Sequence, residues 1–214
     1  IHAAMGVLLA LIQREKDGQG QVVDIAIFEA VFNLLEAVIP EYSGSGLIRQ
    51  PSGSTITGIA PTNTYICKDG RYIVIGANTD SMFKRLTQAM GRPDIGNEEQ
   101  MASNSGRVKV QTELDEIIEN WTKSLTSKEA LDKLDEYSVA AGPIYDAQDM
   151  TEDPQFKARN LFEDVTINGK AIQIPAIVPH LSRSPGRTEF SGPELGSHNE
   201  EIYQRVLGIE KKAL

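Results

Sequence analysis

Cysteine is almost absent: Cys67 is the only one in 214 residues. That excludes an internal disulfide and a thiolate metal cluster, and it suits a reducing cytoplasm. Histidine is also scarce. His2, His180 and His198 lie far apart without ligand spacing, so no metal site is expected. Positive charge is in deficit, with 21 Lys and Arg against 30 Asp and Glu and a net charge of −9. An acidic balance argues against nucleic acid or an anionic membrane as partner, and its plain role is solubility. The apolar runs near residues 5–12 and 25–39 are too short or too interrupted to span a bilayer. No basic segment precedes an apolar run in the sequence given, so no signal peptide is expected within it. There is no Gly-x-Ser-x-Gly elbow and no phosphate loop. Gly18-Gln-Gly20 has half of a dinucleotide fingerprint, but the third glycine is missing and the helix comes before it.

What is present is an apolar fraction of 40%, enough for a real core in one large or two small domains. The organising stretch is Met5 to Asp24. Ile1, Ala4, Met5, Leu8, Leu11 and Ile12 recur at helical spacing, while Ala3, Val7, Leu9 and Ala10 leave almost no polar face. Gly18 and Gly20 supply the turn. Val22 to Asp24 lead into a second, nearly all-apolar helix over 25–39, stopped by Pro40. A helix apolar all round belongs inside something. This one begins at residue 1 with no initiator Met and no cap, so the chain reads as the C-terminal part of a larger protein.

A Gly- and Ser-rich stretch from Glu41 to Thr57 marks a connection and a domain boundary. Two β-rich runs, 64–67 and 71–76, flank Asp69-Gly70 and predict a hairpin. Thr79 or Asp80 caps a helix with Met82, Phe83, Leu86 and Met90 inward, ended by Gly91 and Pro93. The polar stretch 94–105 reads as loop. One long helix is expected from Arg107 to Leu125, with Val110, Leu114, Ile117, Ile118, Trp121 and Leu125 in one stripe. Thr126 and Glu129 have capping-box spacing for the next helix. Asp153-Pro154 opens a short helix. Asn168-Gly169 predicts a second hairpin between 162–167 and 170–174. Residues 175–192 read as an extended tail, and 199–207 as a last helix.

Little here bears chemistry. Glu113, Asp115, Glu116 and Glu119 fall on the wet side of their helix, which reads as a solvated face. The loop from Gly53 to Pro61 is small-residued and runs into a strand. It fits a segment that closes over a site, or a plain interdomain linker, which is the simpler reading of its composition.

The run from Gly6 to Asp24, GVLLALIQREKDGQGQVVD, resembles the signature of the family III CoA-transferases, the carnitine dehydratase and bile-acid-inducible protein F group. Later stretches resemble the same family in order: Pro61 to Ile75, Ser81 to Gly91, then Arg107, Trp121 and Thr126. Gly142-Pro143-Ile144, Asp153-Pro154-Gln155, and Pro193 to His198 with Glu201 and Leu207-Gly208 complete the match.

The resemblance implies an α/β (mixed α and β) fold. Residues 1–41 and 175–214 would belong to a Rossmann-like large domain, 42–57 to a linker, and 58–174 to a small α+β domain, in subunits that interlock as a homodimer. It implies a cytoplasmic enzyme that moves coenzyme A from an acyl-CoA to a carboxylic acid through an aspartyl-CoA thioester. Acyl-CoA is then substrate, with no permanently bound cofactor. The catalytic Asp would lie in a missing N-terminal segment, a few residues ahead of Ile1. None of Asp17, Asp24 or Asp69 matches it, so this chain alone would be inactive. Gly58, Ile59 and Ala60 match the family's mobile loop over the active site and are the candidate substrate-binding residues. An α-methylacyl-CoA racemase and a non-catalytic CoA-binding or dimerisation module remain alternatives.

Overall fold

The computed structural model describes residues 1–167, 169–190 and 192–209. Asn168, expected at the turn of the second hairpin, and the last five residues of the 175–214 segment lie outside them. The chain forms two compact units, the first Ile1–Gly142 and the second beginning at Pro143.

The first unit opens on helix α1, His2–Asp17. It ends where Gly18 takes φ 76 and donates its N–H to Arg14 O at 2.8 Å, a left-handed cap that glycine enters without strain. No residue of α1 is buried, so the face expected to be internal lies bare. The helix expected over 25–39 is instead two. Helix α2, Ile27–Phe32, gives way to turns, and helix α3 runs Val38–Ser45. Helix α2 ends at Phe32, and Glu36, at φ 50, lies in the turns between the two helices. Pro40 does not stop a helix but lies in the first turn of α3, where its missing N–H would have had no partner. Among the described residues no helix is long and apolar enough to cross a membrane.

The core of this unit lies beyond residue 59. Strands β1, Thr62–Ile66, and β2, Tyr72–Gly76, pair antiparallel with Tyr65 opposite Ile73. Ile73 and Ile75 are buried while Tyr72 and Val74 face out, the period-2 alternation of a sheet with one covered face. At the turn, Gly70 N donates to Cys67 O and Cys67 N to Arg71 O, with Gly70 at φ 77. The Asp-Gly pair therefore makes a longer, bulged turn rather than a two-residue one. Burial, with Asp69 nearby, pushes the Cys67 thiol up.

Helix α4, Asp80–Ala89, is capped by the Thr79 hydroxyl and buries Phe83, Leu86, Thr87 and Ala89. The stretch expected to be loop holds short helix α5, Pro93–Gly96, and a 3₁₀ turn over Glu99–Met101; buried Ile95 and Met101 tie it to the core. The single helix expected over 107–125 is broken at Val110 into α6, Asn104–Lys109, and α7, Gln111–Lys123. Helix α8, Ser127–Glu136, has the expected capping box: Thr126 accepts from Glu129 N, and Glu129 accepts from Thr126 N. Its first turn is also tied to the hairpin, since the Asp69 carboxylate accepts from Ser127 N (3.0 Å) and Oγ (2.8 Å). Helix α7 covers β1, and α8 covers β2 and α4. Phe83, Leu86, Leu114, Ile118 and Leu134 meet the sheet there, each burial favourable by about 1.5–3 kcal/mol. A short third strand, β3 at Ala141–Pro143, lies beside β2.

The second unit holds α9, Ala147–Glu152, and α10, Pro154–Ala158. Its hairpin pairs β4, Phe162–Ile167, with β5, Lys170–Pro175, and Ile167 stands opposite Lys170 as expected. Asp153 caps α10 through the backbone N–H groups of Gln155 and Phe156 and accepts from the Tyr145 hydroxyl at 2.6 Å. The tail beyond β5 is held by Glu163, which accepts from Thr188 N (3.0 Å) and Ile177 N. The last helical turn, Glu200–Val206, is π-type.

Candidate functional site

The loop expected to matter ends in a tight turn. Ile59 N donates to Ile56 O at 3.2 Å, and Gly58 takes φ 82, a conformation that favours glycine. Gly58 is exposed, Ile59 half-buried and Ala60 fully buried, so the chain dives into the core within three residues. Sequence reasoning singled out these three residues and missed what holds them.

Two side chains from α6 do so. Asn104 donates from Nδ2 to Gly58 O at 2.9 Å and accepts at Oδ1 from Ala60 N at 3.0 Å. One amide thus bonds the backbone on both sides of Ile59, as a neighbouring strand would. Asn104 is placed by the Ser103 cap, whose hydroxyl accepts from Gly106 N, and by Gly106 itself. A Cβ at Gly106 would run into the Gln100 carbonyl, so only glycine lets α6 start this close to the 3₁₀ turn.

Arg107 is fully buried. Its guanidinium donates to Ala60 O (2.9 Å), Met101 O (2.9 Å) and Asn78 O (2.6 Å), lies 4.8 Å from the centre of the Phe83 ring, and pairs with Asp80 at 3.0 Å. Asp80 is 60% exposed, so solvent screens the ion pair and the three carbonyls carry most of the compensation for the buried charge. Arg107 occupies the apolar stripe of its helical pattern, three residues before Val110 and seven before Leu114. A cation on a buried stripe is the signal that could have marked it.

A second polar cluster corrects the sequence reading of the acidic face. Asp115 is half-buried, not solvated. It accepts from the Tyr65 hydroxyl at 2.5 Å and from Asn63 Nδ2 at 3.1 Å, fastening α7 to β1. Burial first, then Asp115, pushes the Tyr65 phenol far above its usual range, so it is a fixed donor and not a proton carrier. Glu119 pairs with Lys123 at 2.9 Å on the helix surface. Asp69 is occupied by Ser127; partial desolvation pushes its carboxyl upward, but the hydrogen bonds outweigh it and hold the carboxyl low.

Residues 1–199 match the family model described as CoA-transferase family III. The chain belongs to that family. It is 44% identical over 213 residues to the succinyl-CoA–D-citramalate CoA-transferase of Chloroflexus aurantiacus, covering 99% of this chain and 53% of that one. It is 34% identical to the beta subunit of the succinyl-CoA–L-malate CoA-transferase of the same organism, covering 98% of this chain and 52% of that one. A CaiB/BaiF family protein from Brucella suis superposes with a TM-score of 0.78 at 28% identity, over 96% of this chain and 53% of its own. The chain therefore spans about half the length of the relatives it matches. The family III fold carries the expected mixed α and β architecture.

Proposed function

We propose that the chain is the C-terminal part of a CoA-transferase that moves coenzyme A from succinyl-CoA to a small hydroxy-dicarboxylate of the citramalate or malate kind. The observation that carries this reading is 44% identity along 99% of the chain to a transferase so named. The catalytic Asp would lie upstream of Ile1. Its carboxylate attacks the thioester carbonyl and expels the CoA thiolate, leaving a mixed anhydride. The thiolate then attacks the aspartyl carbonyl of that anhydride, releasing succinate and forming the aspartyl-CoA thioester. The acceptor carboxylate repeats the two steps in reverse, so no water and no nucleotide is consumed. Transfer is favoured over the racemase reading because the relatives at 44% and 34% identity carry transferase names.

In the complete protein, Gly58 to Ala60 would border the acyl group and limit access of water. Residues 1–41 and 175–214 would belong to the large domain, 42–57 to the crossing and 58–174 to the small domain of an interlocked homodimer working in the cytoplasm. The exposed apolar side chains of residues 1–48 support a covering surface supplied by the preceding segment or a second copy.

The test is an assay of the full-length polypeptide with succinyl-CoA and D-citramalate or L-malate, following the acyl-CoA products by chromatography. Transfer without net hydrolysis, together with a hydroxylamine-trapped aspartyl adduct, is the expected result. No product CoA ester with any dicarboxylate acceptor would overturn the reading.

A further inference from the structure

We infer that Asn104 is a positioning residue for CoA transfer: its side-chain amide latches the backbone at Gly58 and Ala60 and so sets the loop that borders the acyl group. The inference rests on the proposed function for its catalytic part, but the latch itself stands on geometry.

The loop has two attachments of different character. Ala60 is buried and its carbonyl is held by Arg107, which also holds Met101 and Asn78. That attachment cannot open without opening the core. Gly58 is exposed, and the Asn104 Nδ2 donates to its carbonyl. Water can replace that donor, so this attachment can be released and remade. Gly58 sits at positive φ with open space where a Cβ would stand, so no side-chain packing adds to the hold on that corner of the turn. Upstream of the turn, Ser52 and Thr55 bond each other, and Ser54 donates to Asn63 Oδ1 at 2.6 Å. The stretch is thus held firmly at Ala60, releasably at Gly58, and by surface hydroxyls beyond. Asn104 is the side chain that decides how long the turn stays seated on α6.

Chemistry gives this position consequences. A mixed anhydride and an aspartyl thioester are both open to hydrolysis, and a transferase must keep water off them while exchanging two acids. A turn that leaves its seat admits water. Losing the latch should therefore divert intermediates to hydrolysis more than it weakens binding of succinyl-CoA, since a CoA ester has its nucleotide at the end of the molecule remote from the acyl group.

The experiment compares full-length wild type with Asn104→Ala and Asn104→Asp. Asp retains the acceptor for Ala60 N but presents a like-charged edge to the Gly58 carbonyl, so it restores only half of the latch. Expected for Asn104→Ala is a rise of about tenfold in amide exchange at Ala60, from loss of a hydrogen-bonded pair, with exchange in the β1–β2 ladder unchanged. The ratio of succinyl-CoA hydrolysis to transfer should rise about tenfold as well, with KM for succinyl-CoA altered less than kcat; Asn104→Asp should fall between. Unchanged exchange at Ala60 overturns the latch. Faster exchange with wild-type partition between hydrolysis and transfer overturns the positioning role. If wild type itself transfers no CoA, the proposed function fails, and the exchange data alone judge the latch.

Discussion

Arg107 carries a full charge into a site with no solvent access, and the fold answers with three backbone carbonyls and an aromatic face. Removing one partner of such an arrangement leaves the rest desolvated and unpaired, which costs about 3–5 kcal/mol. Arg107→Ala is expected to destabilise by that order in urea unfolding. Arg107→Lys should recover little, because an ammonium cannot reach three carbonyls in a fan as the planar guanidinium does. Asp80→Ala should cost less than about 1 kcal/mol, as its carboxylate is mostly exposed. Equal losses in Asp80→Ala and Arg107→Ala would show that the ion pair, not the carbonyl fan, is what matters. At this scale the sequence was partly legible. The turn residues Gly58, Gly70 and Gly169 stand where glycine's freedom is needed, at φ 82, 77 and 74. Asn104 was not legible, since its partners lie 44 and 46 residues away and nothing local marks an amide that serves a distant turn. Asp115 was misread because helical periodicity gives its face but not the Tyr65 that leans over it.

Among elements, those whose ends are written locally were the readable ones. The two hairpins and the Thr126–Glu129 box follow from neighbouring residues alone. The break of the apolar stretch near Glu36 and that of the long helix at Val110 do not, because neither carries a Gly or Pro to mark it; Val110 packs against the core, whereas the helices on either side of Glu36 bury nothing. Helix α10 offers a pH test. The Tyr145 hydroxyl first, then the N–H groups of Phe156 and Gln155, hold the Asp153 carboxyl below the usual carboxylate range. A depressed folded value means stability that is fully present above the unfolded pKa of about 4 and lost as pH falls through the lower folded value. Asp153→Asn keeps an acceptor for the cap but cannot titrate. The near-UV circular dichroism of this variant should therefore fall less steeply than that of wild type as pH drops below the unfolded carboxylate value of about 4. Superimposable acid limbs would dismiss Asp153 as a contributor.

For the whole molecule, the contrast is between a dry α+β core after residue 59 and a first third with no buried residue in its helices. Leu8 is 60% exposed, Phe28 73% and Ile27 89%. Soluble monomers rarely show contiguous apolar patches beyond a few hundred Å². Produced alone, the chain is expected to self-associate and to bind a hydrophobic dye, while the full-length protein does neither beyond its own assembly. Size-exclusion with light scattering reads this directly; a monodisperse, dye-silent 214-residue monomer would refute it. The apolar composition of these helices was plain in the sequence. Their uncovered state follows from the same reading, since all-round apolar helices in the C-terminal part of a larger protein lack their covering; composition says that a face wants a partner and never where the partner comes from.

The bond from Asp69 to Ser127 has a bearing on the order of assembly. It joins the tip of the β1–β2 hairpin to the first turn of α8 across 58 residues. The helix can nucleate on its own capping box, but its leading N–H gains this partner only after the hairpin has closed. A local event and a long-range one are thereby made to finish together. If that junction forms at the folding barrier, Asp69→Ala should slow refolding as much as it lowers stability; if it forms late, the loss should appear almost wholly as faster unfolding.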